Sequence, residues 1–152
     1  MINQVLEIYS MLLKNTKWIV TAINFLLILL FVYTGTSKLI EYQKFHEQLE
    51  AITFLKPFAG FISIALPAIE ILAGLSISYK PTMRIGLWIA AILMTAFTIY
   101  VAAMLAGDKT KLPCSCGGVM KALTWRKHLW FNIIFTVLAF LNIYLTGIRK
   151  RE

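Results

Sequence analysis

The chain has 152 residues, of which 59% are hydrophobic and 14% are charged, and its formal net charge is +8. The length suits a single domain, residues 1–152, and the composition is too apolar for an ordinary soluble domain. No soluble segment carries a basic stripe with interleaved aromatic residues, so we expect no nucleic acid partner. The positive charge instead indicates lysines and arginines at the edges of a lipid bilayer.

Four apolar runs are each long enough to cross a bilayer, which takes about 20 residues per helix. They cover about residues 18–39, 58–79, 85–107 and 128–148. Residues 1–17 are amphipathic and residues 41–56 alternate charged with apolar side chains, so both segments are predicted as surface helices. A frayed terminus is the alternative for residues 1–17. The predicted fold class is an all-α integral membrane protein, a four-transmembrane-helix bundle with short amphipathic surface helices.

The only two cysteines of the sequence, Cys114 and Cys116, lie in a polar loop, residues 108–127, between the third and fourth apolar runs. Two cysteines at this spacing can close a small, strained disulfide ring, and a strained disulfide is easier to reduce. Nearby lysines favour the reactive thiolate form. The pair therefore predicts thiol–disulfide chemistry. Two idle thiols in a turn, or a site for monovalent copper, remain as alternatives, and we assign no metal ligands.

Ionisable side chains within or beside the apolar runs are further candidates for function. A carboxylate such as Glu70, well inside a spanning helix, is costly and indicates either a proton or ligand role or an interhelical hydrogen bond. In the second case Glu70 is protonated or paired with Lys38, whose own alternative is to reach the lipid headgroups. His128 can accept a proton from a thiol because histidine titrates near neutral pH. A histidine bonded to a backbone carbonyl is the alternative.

The fourth apolar run carries a polar stripe. Its residues recur at helical spacing, and they are His128, Asn132, Ala139, Asn142 and Thr146. Polar side chains in a spanning helix face other helices rather than lipid. We therefore expect this face to look into the bundle.

The orientation in the membrane follows from charge and from redox chemistry. Four spans place both termini on one side, and basic residues are divided almost evenly between the two sides. Disulfide chemistry persists in an oxidising compartment such as the periplasm. We therefore expect a multi-pass protein of the bacterial inner membrane with cytoplasmic termini and a periplasmic cysteine loop. The first apolar run is too long for a cleavable signal, so we expect it to stay in the membrane.

Four groups of residues, taken in chain order, resemble the DoxX/MauE group of bacterial membrane proteins. They are residues 33–39 with Lys38, residues 67–74 with Glu70, residues 113–118 with both cysteines, and Trp125 through His128 to Asn132. The resemblance extends over about residues 18–148 and implies a four-helix membrane bundle tied to periplasmic redox processes. The MauE branch is associated with maturing a disulfide-rich periplasmic dehydrogenase, and the DoxX branch with quinone-linked sulfur oxidation.

We therefore expect a membrane-embedded thiol–disulfide protein in which Cys114 and Cys116 exchange with a periplasmic thioredoxin-like or disulfide-containing protein. Electrons would pass to a quinone held between helices near His128 and Glu70. The residues expected to bind this cofactor are Glu70, Lys38, Asn132 and Trp125. The sequence has no second cysteine pair, which excludes a two-step disulfide relay within one chain. Two other functions stay open: a soft-metal-binding or small-solute transport protein, and a non-catalytic assembly factor that uses the loop for docking.

Overall fold

The computed structural model describes the backbone of residues 2–106 and 125–149 and the side chains of residues 16–106 and 126–147. Within these residues the regular structure is helical, with no strand. The helices are α1 (Ile2–Ile40), α2 (Tyr42–Glu50), α3 (Ala59–Ser78), α4 (Met83–Ala106) and α5 (Trp125–Arg149), and a 3₁₀ turn at Lys56–Phe58 leads into α3.

Four helical segments in the described part of the chain are long and apolar enough to cross a membrane. They are Thr16–Ile40, Lys56–Ser78, Met83–Ala106 and Arg126–Gly147. Each overlaps one of the four predicted runs, with bounds that differ by a few residues. The predicted all-α fold with four spanning helices is thus confirmed.

The N-terminal segment differs from the expectation of a separate surface helix. Residues 2–17 are helical, but they continue without a break into the first span as part of the 39-residue α1. No proline or glycine lies between Ile2 and Tyr33 to end a helix there. A helix of this length extends over about 58 Å, which exceeds the roughly 30 Å hydrocarbon core.

The spanning helices pack in the cyclic order α1, α3, α4, α5 and back to α1. Their shared core is apolar and includes Leu27 and Phe31 of α1, Ile77 of α3 and Leu87 of α4, with Ala139 from α5. Because each connection reverses the chain direction, successive spanning helices run antiparallel. This ring encloses the polar side chains described below.

Two glycines allow α1 and α3 to approach closely. A Cβ atom at Gly35 would lie 2.8 Å from Cγ1 of Ile71 and 2.9 Å from the carbonyl oxygen of Pro67. A Cβ atom at Gly74 would lie 2.9 Å from Cγ2 of Val32. Small residues in this position let two helix backbones come together in a membrane. The crossing places the end of α1 directly on the middle of α3.

The short helix α2 occupies the first part of the surface helix predicted for residues 41–56, and residues 51–55 form turns instead. Its apolar side chains Phe45 and Leu49 are buried against Ala59 at the start of α3. On its polar side Lys44 pairs with Glu41, the residue that precedes the helix, at 3.7 Å. The helix therefore covers one end of the bundle instead of crossing the membrane.

The chain direction defines two ends of the bundle. The C-terminal ends of α1 and α4 and the N-terminal ends of α3 and α5 share one end, together with α2. We call it the loop end, because residues 107–124 connect α4 to α5 there. Cys114 and Cys116 belong to this connection and lie outside the described residues. The opposite end, which holds the turn between α3 and α4, is called the terminal end.

Candidate functional site

An ion pair lies inside the bundle between α1 and α3. The Nζ atom of Lys38 contacts Oε1 of Glu70, and the two residues are 4% and 0% exposed. Lys38 therefore does not reach the lipid headgroups. Of the interpretations open for Glu70, pairing with Lys38 is the arrangement observed. Removing two charges from water is costly, so such a pair indicates that the surrounding structure requires it or uses it.

The ammonium group of Lys38 also faces two aromatic rings. Its Nζ atom lies 5.0 Å from the ring centroid of Phe97 on α4 and 5.8 Å from that of Phe45 on α2. A cation within about 6 Å of an aromatic face is attracted by the ring electrons. Lys38 thus joins four helices, since α1 carries it, α3 pairs with it, and α2 and α4 supply the rings.

A partly open cavity lies beside this pair, between α1, α3, α4 and α5. Its polar lining consists of Thr34, Lys38, Glu70, Tyr100, His128 and Asn132, and its aromatic lining of Phe31, Phe97 and Phe131. A concave apolar site with a few convergent polar groups is the usual form of a small-molecule site.

Two polar atoms of the cavity lining are buried without a partner. Oε2 of Glu70 and Nδ2 of Asn132 have no hydrogen-bond partner among the described residues. Glu70 is 0% and Asn132 is 3% exposed. Buried polar atoms are nearly always hydrogen-bonded, so each such atom needs an explanation. Glu70 and Asn132, which carry this unpaired acceptor and this unpaired donor, both belong to the lining of the cavity.

The polar face of α5 looks inward, as predicted. His128, Asn132, Ala139 and Asn142 are all buried. His128 and Asn132 line the cavity, and His128 lies within electrostatic range of Lys38. Trp125 is the first residue of α5, and its side chain lies outside the described residues.

The structure thus brings together four of the seven predicted site residues, namely Lys38, Glu70, His128 and Asn132. The two cysteines and the Trp125 side chain are not described. The connection that carries the cysteines begins and ends near the cavity in sequence. The connection starts after Ala106, five residues after Val101 of the cavity lining. It ends before Trp125, three residues before His128 of the lining.

The aromatic contribution of α4 was not predicted from the sequence as part of a site. Phe97, Tyr100 and Val101 all line the cavity. Their spacing of three and four residues places them on one helical face. That signal is present in the sequence, but in an apolar run it does not separate a cavity wall from ordinary core packing. In the described part of the chain no cluster of three or more His, Cys, Asp or Glu side chains is placed to hold a metal ion.

Comparison with known proteins identifies the family. Residues 16–145 match the family described as methylamine utilisation protein MauE. No curated protein and no solved structure gave a match. The family match covers most of the chain and reaches into all four spanning helices. It confirms the MauE part of the resemblance noted from the sequence, and the chain belongs to the MauE family of multi-pass membrane proteins.

Proposed function

We propose that this MauE-family protein carries out thiol–disulfide exchange at the loop end of its bundle, in support of the maturation of a periplasmic partner. The observation that carries the proposal is the cavity at Lys38, Glu70, His128 and Asn132, with its two unpartnered buried atoms. Its walls include the α4 and α5 segments next to the connection that holds the cysteine pair. Thiol chemistry and a buried polar site are therefore close in the chain at one end of the molecule.

The exchange transfers two electrons and two protons. A thiolate of the reduced partner attacks the disulfide between Cys114 and Cys116 and forms a mixed disulfide, which releases one cysteine of the chain. The second partner thiolate then attacks the mixed disulfide. The partner leaves with a disulfide, and the chain keeps two thiols. His128 would assist proton transfer, since an imidazole nitrogen can accept a proton and return it.

The cavity residues fit a quinone as the group that restores the disulfide. Asn132 has a free N–H donor for a quinone oxygen, and the rings of Phe31, Phe97 and Phe131 suit a flat ligand. Glu70, Lys38 and Asn132 would hold the group, and Trp125 is a further candidate contact. A quinone bound there would supply an acceptor for the two electrons and two protons left on the cysteines.

The proposal includes a location. We place the protein in the bacterial inner membrane with cytoplasmic termini, so that the cysteine connection faces the periplasm. The support is chemical, because disulfides persist in oxidising compartments. A thioredoxin-like or disulfide-containing protein in that compartment is the proposed partner.

The experiment is to measure the redox state of the cysteine pair and its covalent partners. The purified full chain is equilibrated in thiol–disulfide buffers, alkylated, and analysed by mass spectrometry. We expect a reversible disulfide between Cys114 and Cys116. In cells, the single variants Cys114→Ser and Cys116→Ser should lose function. The remaining cysteine can still attack the disulfide of an oxidised partner molecule and release its other thiolate, so it should hold that partner as a mixed disulfide, visible as a reductant-sensitive band on a gel.

The double variant Cys114→Ser, Cys116→Ser is the control, because it has no sulfur with which to form the band. It should fold as the native chain does, since a disulfide this small closes little chain entropy. Full function in the double variant would overturn the redox proposal. Copper bound to the purified protein in place of a disulfide would favour the metal-binding alternative instead.

A further inference from the structure

We infer that the cavity binds the reduced, hydroxyl-bearing form of a quinone head group, the hydroquinone, more tightly than the quinone itself. This inference rests on the proposed function and adds the preferred oxidation state of the ligand. It follows from the hydrogen-bonding character of the two buried, unpartnered atoms, which belong to Glu70 and Asn132 of the cavity lining.

The unpartnered acceptor distinguishes the two oxidation states. Oε2 of Glu70 can only accept a hydrogen bond while the carboxylate is held in the ion pair with Lys38. A quinone offers carbonyl oxygens, which are acceptors as well, so Oε2 would stay unsatisfied beside it. A hydroquinone offers hydroxyl groups, and a hydroxyl can donate to Oε2.

The unpartnered donor does not distinguish them. Nδ2 of Asn132 can donate to a carbonyl oxygen or to a hydroxyl oxygen. Asn132 therefore contributes to the binding of both forms, and the difference between them lies at Glu70. A hydroxyl is the group that satisfies both atoms, since it donates and accepts.

The ion pair keeps the acceptor in place. Lys38 occupies the other carboxylate oxygen of Glu70, and the rings of Phe45 and Phe97 flank its ammonium group. Gly35 lets α1 lie against α3 at this point, where a Cβ atom would come within 3.3 Å of Cβ of Glu70. The carboxylate is thus fixed from one side, and its second oxygen, Oε2, is buried without a hydrogen-bond partner.

The preference has a redox consequence. A site that binds the reduced form more tightly makes the bound couple a stronger oxidant, by about 30 mV for each tenfold difference in affinity. A stronger oxidant favours the transfer of electrons from thiols to the bound group. The hydrogen-bonding pattern of the cavity therefore suits disulfide formation rather than disulfide reduction.

The test is an equilibrium binding measurement on the full chain in lipid nanodiscs, without oxygen. The background is Cys114→Ser, Cys116→Ser, so that the protein cannot exchange electrons with the ligand. The probes are tetramethyl-1,4-benzoquinone and its hydroquinone, whose ring methyl groups block addition of protein nucleophiles. We expect the hydroquinone to bind about tenfold more tightly or better, since a hydrogen bond to a charged, otherwise unsatisfied group is worth at least that factor.

The decisive variant is Glu70→Gln. Lys38 would keep the amide oxygen, and the amide N–H₂ would then face the cavity in place of Oε2. The ratio of affinities should fall to one or below, because the site would now offer two donors. Glu47→Gln on the exposed side of α2 is the matched control and should leave the ratio unchanged.

A second variant keeps the inference testable if Glu70→Gln does not fold. Asn132→Leu removes the donor that both forms of the ligand use. It should therefore weaken the binding of both forms and keep the preference for the hydroquinone. Equal affinity for both forms in the starting protein, or no binding of either form to the folded chain, would overturn the inference. Those results would leave the thiol proposal standing, because it is tested separately by alkylation of the cysteine pair.

Discussion

Asn142 of α5 donates a hydrogen bond from Nδ2 to Oδ1 of Asn24 on α1, over 2.7 Å. Thr146 donates to Oδ1 of Asn142, and Nδ2 of Asn24 contacts Sδ of Met83 at 3.6 Å. Asn24 precedes Lys38 by fourteen residues, or about 21 Å along the helix. This cluster therefore joins the first and last spanning helices at the terminal end, remote from the cavity.

Asn142→Leu should lower the stability of the bundle without affecting the cavity. The substitution removes the link between α1 and α5, and interhelical hydrogen bonds of this kind in membranes are worth about 0.6 kcal/mol on average and up to about 1.7. Reversible unfolding in mixed micelles measures the change. Ile134→Leu, at an exposed position of α5, is the control and should behave as the native chain does. Unchanged stability of Asn142→Leu would show that the bond contributes nothing.

Gly35→Ala should destabilise the crossing of α1 and α3 by about 1–3 kcal/mol, the usual cost of overpacking. The added methyl group would meet both the Ile71 side chain and the Pro67 backbone, at 2.8 and 2.9 Å. Gly147→Ala is the matched control, because a Cβ atom there meets nothing within 4 Å. The same unfolding measurement applies, and equal stability of the two variants would contradict the close approach at Gly35.

Breaking the ion pair from one side should cost more than removing it altogether. Lys38→Met leaves the Glu70 carboxylate buried without its partner, which typically costs about 3–5 kcal/mol. The double variant Lys38→Met, Glu70→Met should recover much of that loss. Folding should also tolerate Glu70→Gln and fail for Glu70→Lys, since the latter buries a second cation beside Lys38. The single variants Lys38→Met and Glu70→Met and the double variant form a double-mutant cycle. If the changes in unfolding free energy of the two single variants add up to that of the double variant, the two side chains are not coupled.

His128→Ala should slow thiol–disulfide exchange without abolishing it. A positioned general base contributes about a hundredfold or more, while the cysteines themselves retain the chemistry. The rate is measured by stopping the reaction with acid and alkylating the remaining thiols. His46→Ala is the matched control, since His46 is the other histidine of the sequence and does not line the cavity. Equal rates for the two variants would remove His128 from the proposed mechanism.

The proposed orientation predicts where each end of the bundle can be labelled. A reporter fused after Glu152 should be active only in the cytoplasm. In intact cells, a membrane-impermeant thiol reagent should reach Cys114 from the periplasm once the pair is reduced. Reporter activity in the periplasm would show that the C-terminus is periplasmic. The cysteine connection would then face the cytoplasm, which would contradict the redox argument.

The sequence by itself determined the number of spanning helices and the inward face of α5. Both depend on local patterns, since an apolar run must be long enough to cross a bilayer and polar side chains must avoid lipid. The same reasoning placed a carboxylate inside the second span and named Lys38 as one possible partner. It did not predict that α1 is continuous, because an amphipathic segment next to a span is equally compatible with a break or with one long helix.

The tertiary structure decided which of these side chains meet. Lys38 and Glu70 are separated by 32 residues, and their pairing depends on the crossing of α1 and α3 at Gly35. The aromatic side of the cavity comes from how α4 is rotated against its neighbours, which apolar periodicity in a fully apolar helix leaves undetermined. Oε2 of Glu70 and Nδ2 of Asn132 lack hydrogen-bond partners only in the packed bundle, because a polar atom is unsatisfied only when its neighbours are fixed and water is excluded.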